Sequence, residues 1–290
     1  MPARISAKAY SMRSLDAMWE WPCPRYGQLR ELQQSAYCFF GKPWTEAKRK
    51  ALIWGDSHAQ HFAPIVEAAT KDQQDAFLLY GSCPAVWGGH VARNDPLDPG
   101  YAGLCRLQRE NAIKLLTDDP EIKLVILASA WPYFPGLASK DNTISSNDPV
   151  DWIEAGLTDL IDRTSLPGRT FIIVGSVPQF GTDPTSCAFA DSNLLRAPCR
   201  PIEDRSKALE GTKRTDRMIL KISSERRGVR AVIPSAPLCA DAVCMKSLDG
   251  EFLYRDAGHL RRNLPDATKR HLADIIGLTS ALAEAPAAPD

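Results

Sequence analysis

The stretch from Ala51 to Phe62 reads ALIWGDSHAQHF, and its reading decides the fold. Four apolar residues (Ala51 to Trp54) form the end of a buried strand, Gly55-Asp56 supplies a tight turn, and the residues from His58 onward follow a helical pattern. Glycine permits the close turn, and Asp or Ser can cap the helix that follows. Ser57 is therefore either an activated nucleophile at the top of a strand or ordinary polar punctuation.

The same alternation recurs on both sides of this stretch. Apolar runs at Lys50–Ser57, Asp75–Ser82, Ile122–Trp131, Arg169–Phe180 and Val229–Cys239 read as strands. Between and after them, helical patterns cover His58–Lys71, Tyr101–Asp119, Asp148–Ser165, a basic amphipathic stretch from Asp204 to Gly228, and a last helix from about Asp266 to Ala283. Strands alternating with helices predict an α/β fold, a three-layer α/β/α sandwich around a five-stranded parallel sheet. In such sheets ligands collect at the carboxyl ends of the strands, which here carry GDSH, GSCP, ASAWPYF, GSVPQF and PSAPLC. Residues 1–45 read as a partly extended lead-in, 46–283 as one catalytic domain, and 284–290 as a frayed, disordered tail. The loops 86–100 and 182–200 are candidate walls of a substrate entrance.

A chain of 290 residues with 44% hydrophobic and 24% charged content builds one large core. Thirty-five basic residues balance 35 acidic ones, which argues against a nucleic-acid partner. The eight cysteines fall into sequence-local couples: Cys23 with Cys38, Cys83 with Cys105, Cys187 with Cys199, and Cys239 with Cys244. Nearest-neighbour disulfides in an oxidising compartment such as the periplasm are expected. No C-x-x-C occurs and the histidines are not spaced as ligands beside the cysteines, so no metal and no cofactor is expected. The N-terminus has no apolar signal-peptide core, and no run of about eighteen apolar residues spans a membrane. Export is therefore expected to depend on a signal outside this stretch of chain.

A serine nucleophile needs a base, and the base needs an orienting group. Of the five histidines, His259 is distinguished by Asp256 three residues upstream, just before the last helix. That spacing sets a carboxylate against Nδ1 and leaves Nε2 for the serine. His58 and His61 are one turn apart, and as two ligands alone do not make a metal site. His58 is read as supporting the motif, and His61, His90 and His271 as surface residues. Trp87, Trp131 and Tyr133 are candidates for a sugar-stacking wall, with core packing the alternative.

GDSH directly after the first strand, together with the D-x-x-H of Asp256 and His259, resembles the SGNH/GDSL hydrolase superfamily, whose fold is flavodoxin-like. LIWGDSHA (52–59), LASAWPYF (127–134), VGSVPQFG (174–181), LCADAVC (238–244) and LYRDAGHLRR (253–262) resemble a narrower group. This is the SGNH domain fused to membrane acyltransferase-3 proteins, the O-acetyltransferases of bacterial surface polysaccharides such as lipopolysaccharide. The resemblance runs from about Tyr37 to Ala283. It implies Ser57 as nucleophile, His259 as general base and Asp256 as its orienter, with Gly55, Asp56 and His58 completing the motif. It also implies an oxyanion hole built from the backbone N–H groups of Ser57 and of the Gly81-Ser82 turn. Where standard SGNH hydrolases place an Asn donor, this chain has Ser129-Ala130-Trp131, a departure shared with the acyltransferase-linked group. The implied activity is O-acylation of a cell-surface glycan on the periplasmic side, with the acyl donor arriving from an acyltransferase-3 membrane module that this chain does not contain. The alternatives are an acetylesterase with the same triad and a non-catalytic glycan-binding remnant.

Overall fold

The computed structural model describes residues 11–12, 14–23, 37–81, 83–87, 100–136, 147–181 and 205–285. A short helix α1 (Leu15–Trp19) precedes strand β1 (Tyr37–Gly41) and the central β2 (Arg49–Gly55). Helix α2 (Ser57–Ala69), β3 (Asp75–Gly81), α3 (Tyr101–Asp118), β4 (Ile122–Ala128), α4 (Pro149–Thr164) and β5 (Thr170–Val174) follow in strict alternation. The second half comprises α5 (Arg205–Glu210), α6 (Lys213–Glu225), β6 (Val229–Val232), α7 (Ser235–Leu238), the pair β7 (Ser247–Leu248) and β8 (Glu251–Phe252), α8 (Asp266–Ile275) and α9 (Leu278–Ala283).

The sheet order is β1-β3-β2-β4-β5-β6. Five strands are parallel as expected, and β1 adds a sixth, antiparallel to β3, with Cys38 opposite Leu79. The sequence gives no sign of β1, because five residues within an aperiodic lead-in become a strand only by pairing with an edge roughly forty residues away. Residues of the expected lead-in thus close one side of the sheet.

Along β2 the side chains alternate between two cores. Ala51 and Ile53 face α2 and the C-terminal helices, whereas Leu52 and Trp54 face α3, α4 and α6. Both faces are covered, which explains why the parallel strands read as unbroken apolar runs. The chain passes from β2 to β3 on one side and to β4 on the other, so the crevice at the carboxyl end of β2 is the topological switch point.

Four boundaries differ from expectation. The stretch from Asp204 to Gly228 is two helices separated at Gly211-Thr212, and the last helix divides at Gly277, which sits at φ +76°. Glycine is a poor helix former and takes the left-handed conformation without steric cost, so both breaks have a local cause. The strands β5 and β6 end at Val174 and Val232, earlier than their apolar runs suggest, because Gly175, Pro178 and Pro234 lead the chain off the sheet.

Disulfides join Cys23 to Cys38, Cys83 to Cys105 and Cys239 to Cys244, with Cα separations of 5.6, 5.3 and 4.1 Å. They are nearest-neighbour pairs, as expected. Cys187 and Cys199 lie outside the described residues. No helix among the described residues is long and apolar enough to cross a membrane.

Candidate active site

The turn after β2 has room for glycine alone. A Cβ on Gly55 would stand 1.7 Å from the Ala128 carbonyl oxygen on β4. Asp56 then caps α2: its Oδ1 accepts from the His58 N–H at 2.8 Å, while Oδ2 accepts from the Ala130 N–H at 2.9 Å. One buried carboxylate thereby ties the helix start to the end of the neighbouring strand. Ser57 becomes the first residue of a helix of 13 residues, where exposed N–H groups and the helix dipole favour negative charge.

His259 comes from a loop 202 residues on. Asp249-Gly250, both at positive φ, turn the β7–β8 hairpin. The chain then forms a tight loop closed by a Tyr254–Leu260 bridge and by the Arg255 N–H donating to the His259 carbonyl at 2.8 Å. The Phe180 N–H, beyond β5, donates to the Ala257 carbonyl at 2.9 Å and fixes the loop against the sheet edge.

Within this loop Asp256 Oδ1 receives His259 Nδ1 at 2.8 Å, together with the backbone N–H groups of Gly258 and His259 at 3.0 Å. Arg255 holds Oδ2 at 2.9 Å. Burial opposes ionisation of this carboxyl, but the hydrogen bonds from His259 and Gly258 and the charges of His259 and Arg255 outweigh it and hold it at about 2. With Nδ1–H donated to the carboxylate, Nε2 is the acceptor, and it lies 2.8 Å from Ser57 Oγ. The residues expected as nucleophile, base and orienter are thus in one hydrogen-bonded line.

Beneath His259 lie two more imidazoles. His58 and His61 are buried, with ring centroids 5.3 and 5.9 Å from that of His259 and 4.7 Å from each other. Burial and the neighbouring His259 push His58 down to about 3, despite the opposing charge of Asp256. Burial, with His58, His259 and Arg262, holds His61 well below the usual histidine range. Both are neutral at physiological pH. The expectation that His61 is exposed is wrong, because α2 is covered by the sheet on one side and by α8 on the other. His271 is exposed beside Asp249, and His90 lies outside the described residues.

Gly81 sits opposite Gly55 in the parallel register, and its carbonyl accepts from Gln60 Nε2 at 3.2 Å. The Cys83 N–H donates to the Gly55 carbonyl at 3.1 Å, so the turn after β3 is seated beside the Gly55–Ser57 turn. Ser82, expected in the oxyanion hole, lies outside the described residues. Among the expected wall residues, Trp131 is a correction: it is fully buried, packs with α4 and donates Nε1–H to the Val174 carbonyl at 2.8 Å. The chain folds the indole back under the sheet edge as soon as β4 ends. Trp87 is half-buried under the Arg163 guanidinium. Tyr133 is exposed, and its hydroxyl donates to Gln179 Oε1 at 2.8 Å, near Gly258.

Sequence reasoning missed Trp19. Its ring meets His259 edge-on, with centroids 5.6 Å apart, while Arg255 and Arg262 lie over it at 4.9 and 5.1 Å. The W-E-W pattern of residues 19–21 is the only signal, and it says nothing of a partner far along the chain. Among the described residues no group of three or more His, Cys, Asp or Glu is arranged to hold a metal ion.

The family model for the SGNH domain (fused to AT3 domains) matches residues 22–263. The chain belongs to this SGNH family. Its fold is similar to that of the lipopolysaccharide acetyltransferase periplasmic domain of Salmonella ser. Paratyphi A, at 16% identity and TM-score 0.54, covering 81% of this chain and 84% of that one. A putative platelet activating factor from Streptococcus pneumonia aligns over 95% of this chain and 96% of its own, at 12% identity and TM-score 0.41. No curated protein matches the sequence significantly. In this SGNH domain the position after β4 carries Ser129-Ala130-Trp131, with Ser129 Oγ accepting from the Ala85 N–H at 3.3 Å.

Proposed function

We propose that this SGNH domain transfers an acyl group, acetyl or similarly small, onto a hydroxyl of a cell-surface glycan through an acyl-Ser57 intermediate. The observation that carries the reading is the continuous line from Ser57 Oγ to His259 Nε2 and from His259 Nδ1 to Asp256 Oδ1, each step 2.8 Å. His259 takes the Ser57 proton as Oγ attacks the donor's acyl carbonyl, and returns it to the leaving oxygen as the tetrahedral intermediate collapses. The acceptor hydroxyl then gives its proton to His259 and attacks the acyl-serine, and the proton returns to Ser57. Asp256 stays ionised throughout and holds the imidazolium. The backbone N–H of Ser57 and the Gly81-Ser82 turn receive the oxyanion.

Family membership supports acyl transfer as the reaction class, with the donor group supplied by an acyltransferase-3 membrane module. The fold shared with a periplasmic acetyltransferase domain supports a periplasmic site for the glycan acceptor. Fluorophosphonate labelling of the purified chain tests the nucleophile: one adduct on Ser57, abolished by Ser57→Ala, is expected, and equal labelling of the variant overturns the reading. Acetyl-ester turnover with and without a polysaccharide acceptor then separates transfer from hydrolysis. Acetyl-glycan formed at the expense of free acetate is expected. Hydrolysis indifferent to every acceptor would make the domain an esterase.

A further inference from the structure

Helix α1 and the residues after it build a cavity against the outer side of the catalytic loop. Arg255 Nε donates to the Leu15 carbonyl at 3.0 Å, Asn263 Nδ2 donates to the carbonyls of Ser11 and Ala17 at 2.7 and 2.8 Å, and the Arg262 N–H donates to the Met18 carbonyl at 2.9 Å. The open cleft is about 750 Å³, lined by Trp19, Trp21 and Arg262 together with Asp16 and Glu20. That volume suits a small ligand, for which clefts of about 300–1,000 Å³ are usual. One wall is shared with the active site, because Trp19 touches His259.

Arg262 is the unexplained group. Its guanidinium lies over the rings of both Trp19 and Trp21, 5.1 Å from each centroid, and its Nε is buried with no hydrogen-bond partner. Indole faces stabilise the charge but accept none of its five N–H donors in a normal hydrogen bond. Buried arginines elsewhere in the domain are met by acceptors. Arg169 reaches three carbonyls, and Arg261 reaches the Phe252 carbonyl, Asn263, Ser11 and Glu251. Burial, with no carboxylate to offset it, pushes Arg262 down to about 10. Lys269, which also lines the cavity, already engages Asp266 at 3.3 Å.

A planar guanidinium set against two indole rings suits a carboxylate, which can take two parallel N–H donors from the terminal nitrogens. The lining carboxylates select further. Asp16 and Glu20 repel a dianion such as phosphate, yet accept hydroxyl hydrogens from a neutral or singly charged ligand. Resting on the acyl-transfer reading above, we infer that this cavity is the subsite for a carboxylate-bearing sugar residue of the acceptor glycan, its carboxylate on Arg262 and its ring along the indole wall. Trp19, which meets His259 edge-on, joins this cleft to the Ser57–His259 pair.

Binding is measured by calorimetry and tryptophan fluorescence on the whole chain carrying Ser57→Ala, so that turnover plays no part. A trisaccharide bearing a single uronate, its carboxyl-reduced neutral counterpart and inorganic phosphate are the probes. The acidic trisaccharide is expected to bind at least about tenfold more tightly than the neutral one. Arg262→Gln is expected to erase that preference, and Arg262→Lys to keep part of it. Equal affinity for acidic and neutral sugars, no binding of the acidic one, or its displacement by phosphate at comparable concentration overturns the inference. Those comparisons use the chain with Arg262 intact, so they decide the matter even if the Arg262→Gln protein fails to fold. Because no serine hydroxyl is needed, a failure here and a failure of Ser57 labelling are separate results.

Discussion

The two ends of the central sheet treat buried polar groups in opposite ways. At the amino end, Arg49 is enclosed by Asp75 at 3.1 and 2.5 Å, Gln73 at 2.9 Å, and the carbonyls of Leu282 and Ala285 at 2.9 and 3.0 Å. Arg169 is likewise held by the carbonyls of Ile122, Thr164 and Asp119. At the carboxyl end, the Nδ1 of His58, both ring nitrogens of His61, the Ser176 hydroxyl and Arg262 Nε are buried with no hydrogen-bond partner. A buried polar group without a partner costs about 1–3 kcal/mol, so these groups lower the stability of this edge. The Arg49 end is tied down by paired charges, whereas the edge around His259 carries unpartnered polar groups.

Substitutions at the two ends are expected to separate rate from stability. Asp256→Asn leaves the loop its shape but permits the wrong tautomer of His259, and acyl transfer per folded molecule is expected to fall on the order of 10⁴-fold in steady-state kinetics, beside a loss of up to about 2 kcal/mol of stability at neutral pH. The same variant alters the acid limb of stability. The Asp256 carboxyl titrates at about 2 in the folded chain against 3.8 ordinarily, so its contribution, about 2 kcal/mol, is complete above pH 3.8 and is lost as pH falls towards 2. Urea unfolding between pH 2 and 5 should show that slope in the native chain and not in Asp256→Asn.

Arg49→Ala is expected to do the reverse. Removing one partner of a buried pair costs about 3–5 kcal/mol, while turnover per folded molecule at the far edge stays unchanged. A matching loss of activity in the folded fraction would mean that the two ends are coupled.

The disulfides extend the comparison. Loop lengths of 22 and 5 residues for Cys83–Cys105 and Cys239–Cys244 give expected losses of about 3 and about 2 kcal/mol when both cysteines become serine. Only the first pair anchors the turn after β3 beside Ser57, so only the Cys83/Cys105 double variant should also lose activity in the folded state.

His58→Phe should give the smallest change. His58 titrates at about 3 when folded and 6.5 otherwise, so the native chain loses about 1.4 kcal/mol per pH unit as pH falls below 6.5 towards 3. The phenylalanine variant escapes that loss and should be more stable than the native chain by about 2 kcal/mol at pH 5, with a small difference at pH 7.

Local signals made most of the scaffold readable. Unbroken apolar runs such as Leu124–Ala128 identify strands buried on both faces, and Gly55-Asp56 identifies the turn whose geometry requires them. The proximity of Ser57, Asp256 and His259 was readable from the alternation that brings strand ends to one edge and from the D-x-x-H spacing. What was hidden depended on long-range placement. The strand Tyr37–Gly41 exists by pairing with β3, Trp131 is buried because the chain turns inward after β4, and His61 is enclosed because α8 returns over α2. Trp19 meets His259 from the other end of the sequence, and no periodicity records such a contact.

The position of helix α1 also bears on where the domain can be cut. The stretch that identifies the family, residues 22–263, omits both Trp19 and the final helices whose carbonyls enclose Arg49. A fragment trimmed to that stretch would keep Ser57, Asp256 and His259, yet it would lose the indole beside His259, one wall of the neighbouring cavity and the cap beneath the sheet. A piece of this protein that keeps those contacts is therefore expected to span residues 11–285.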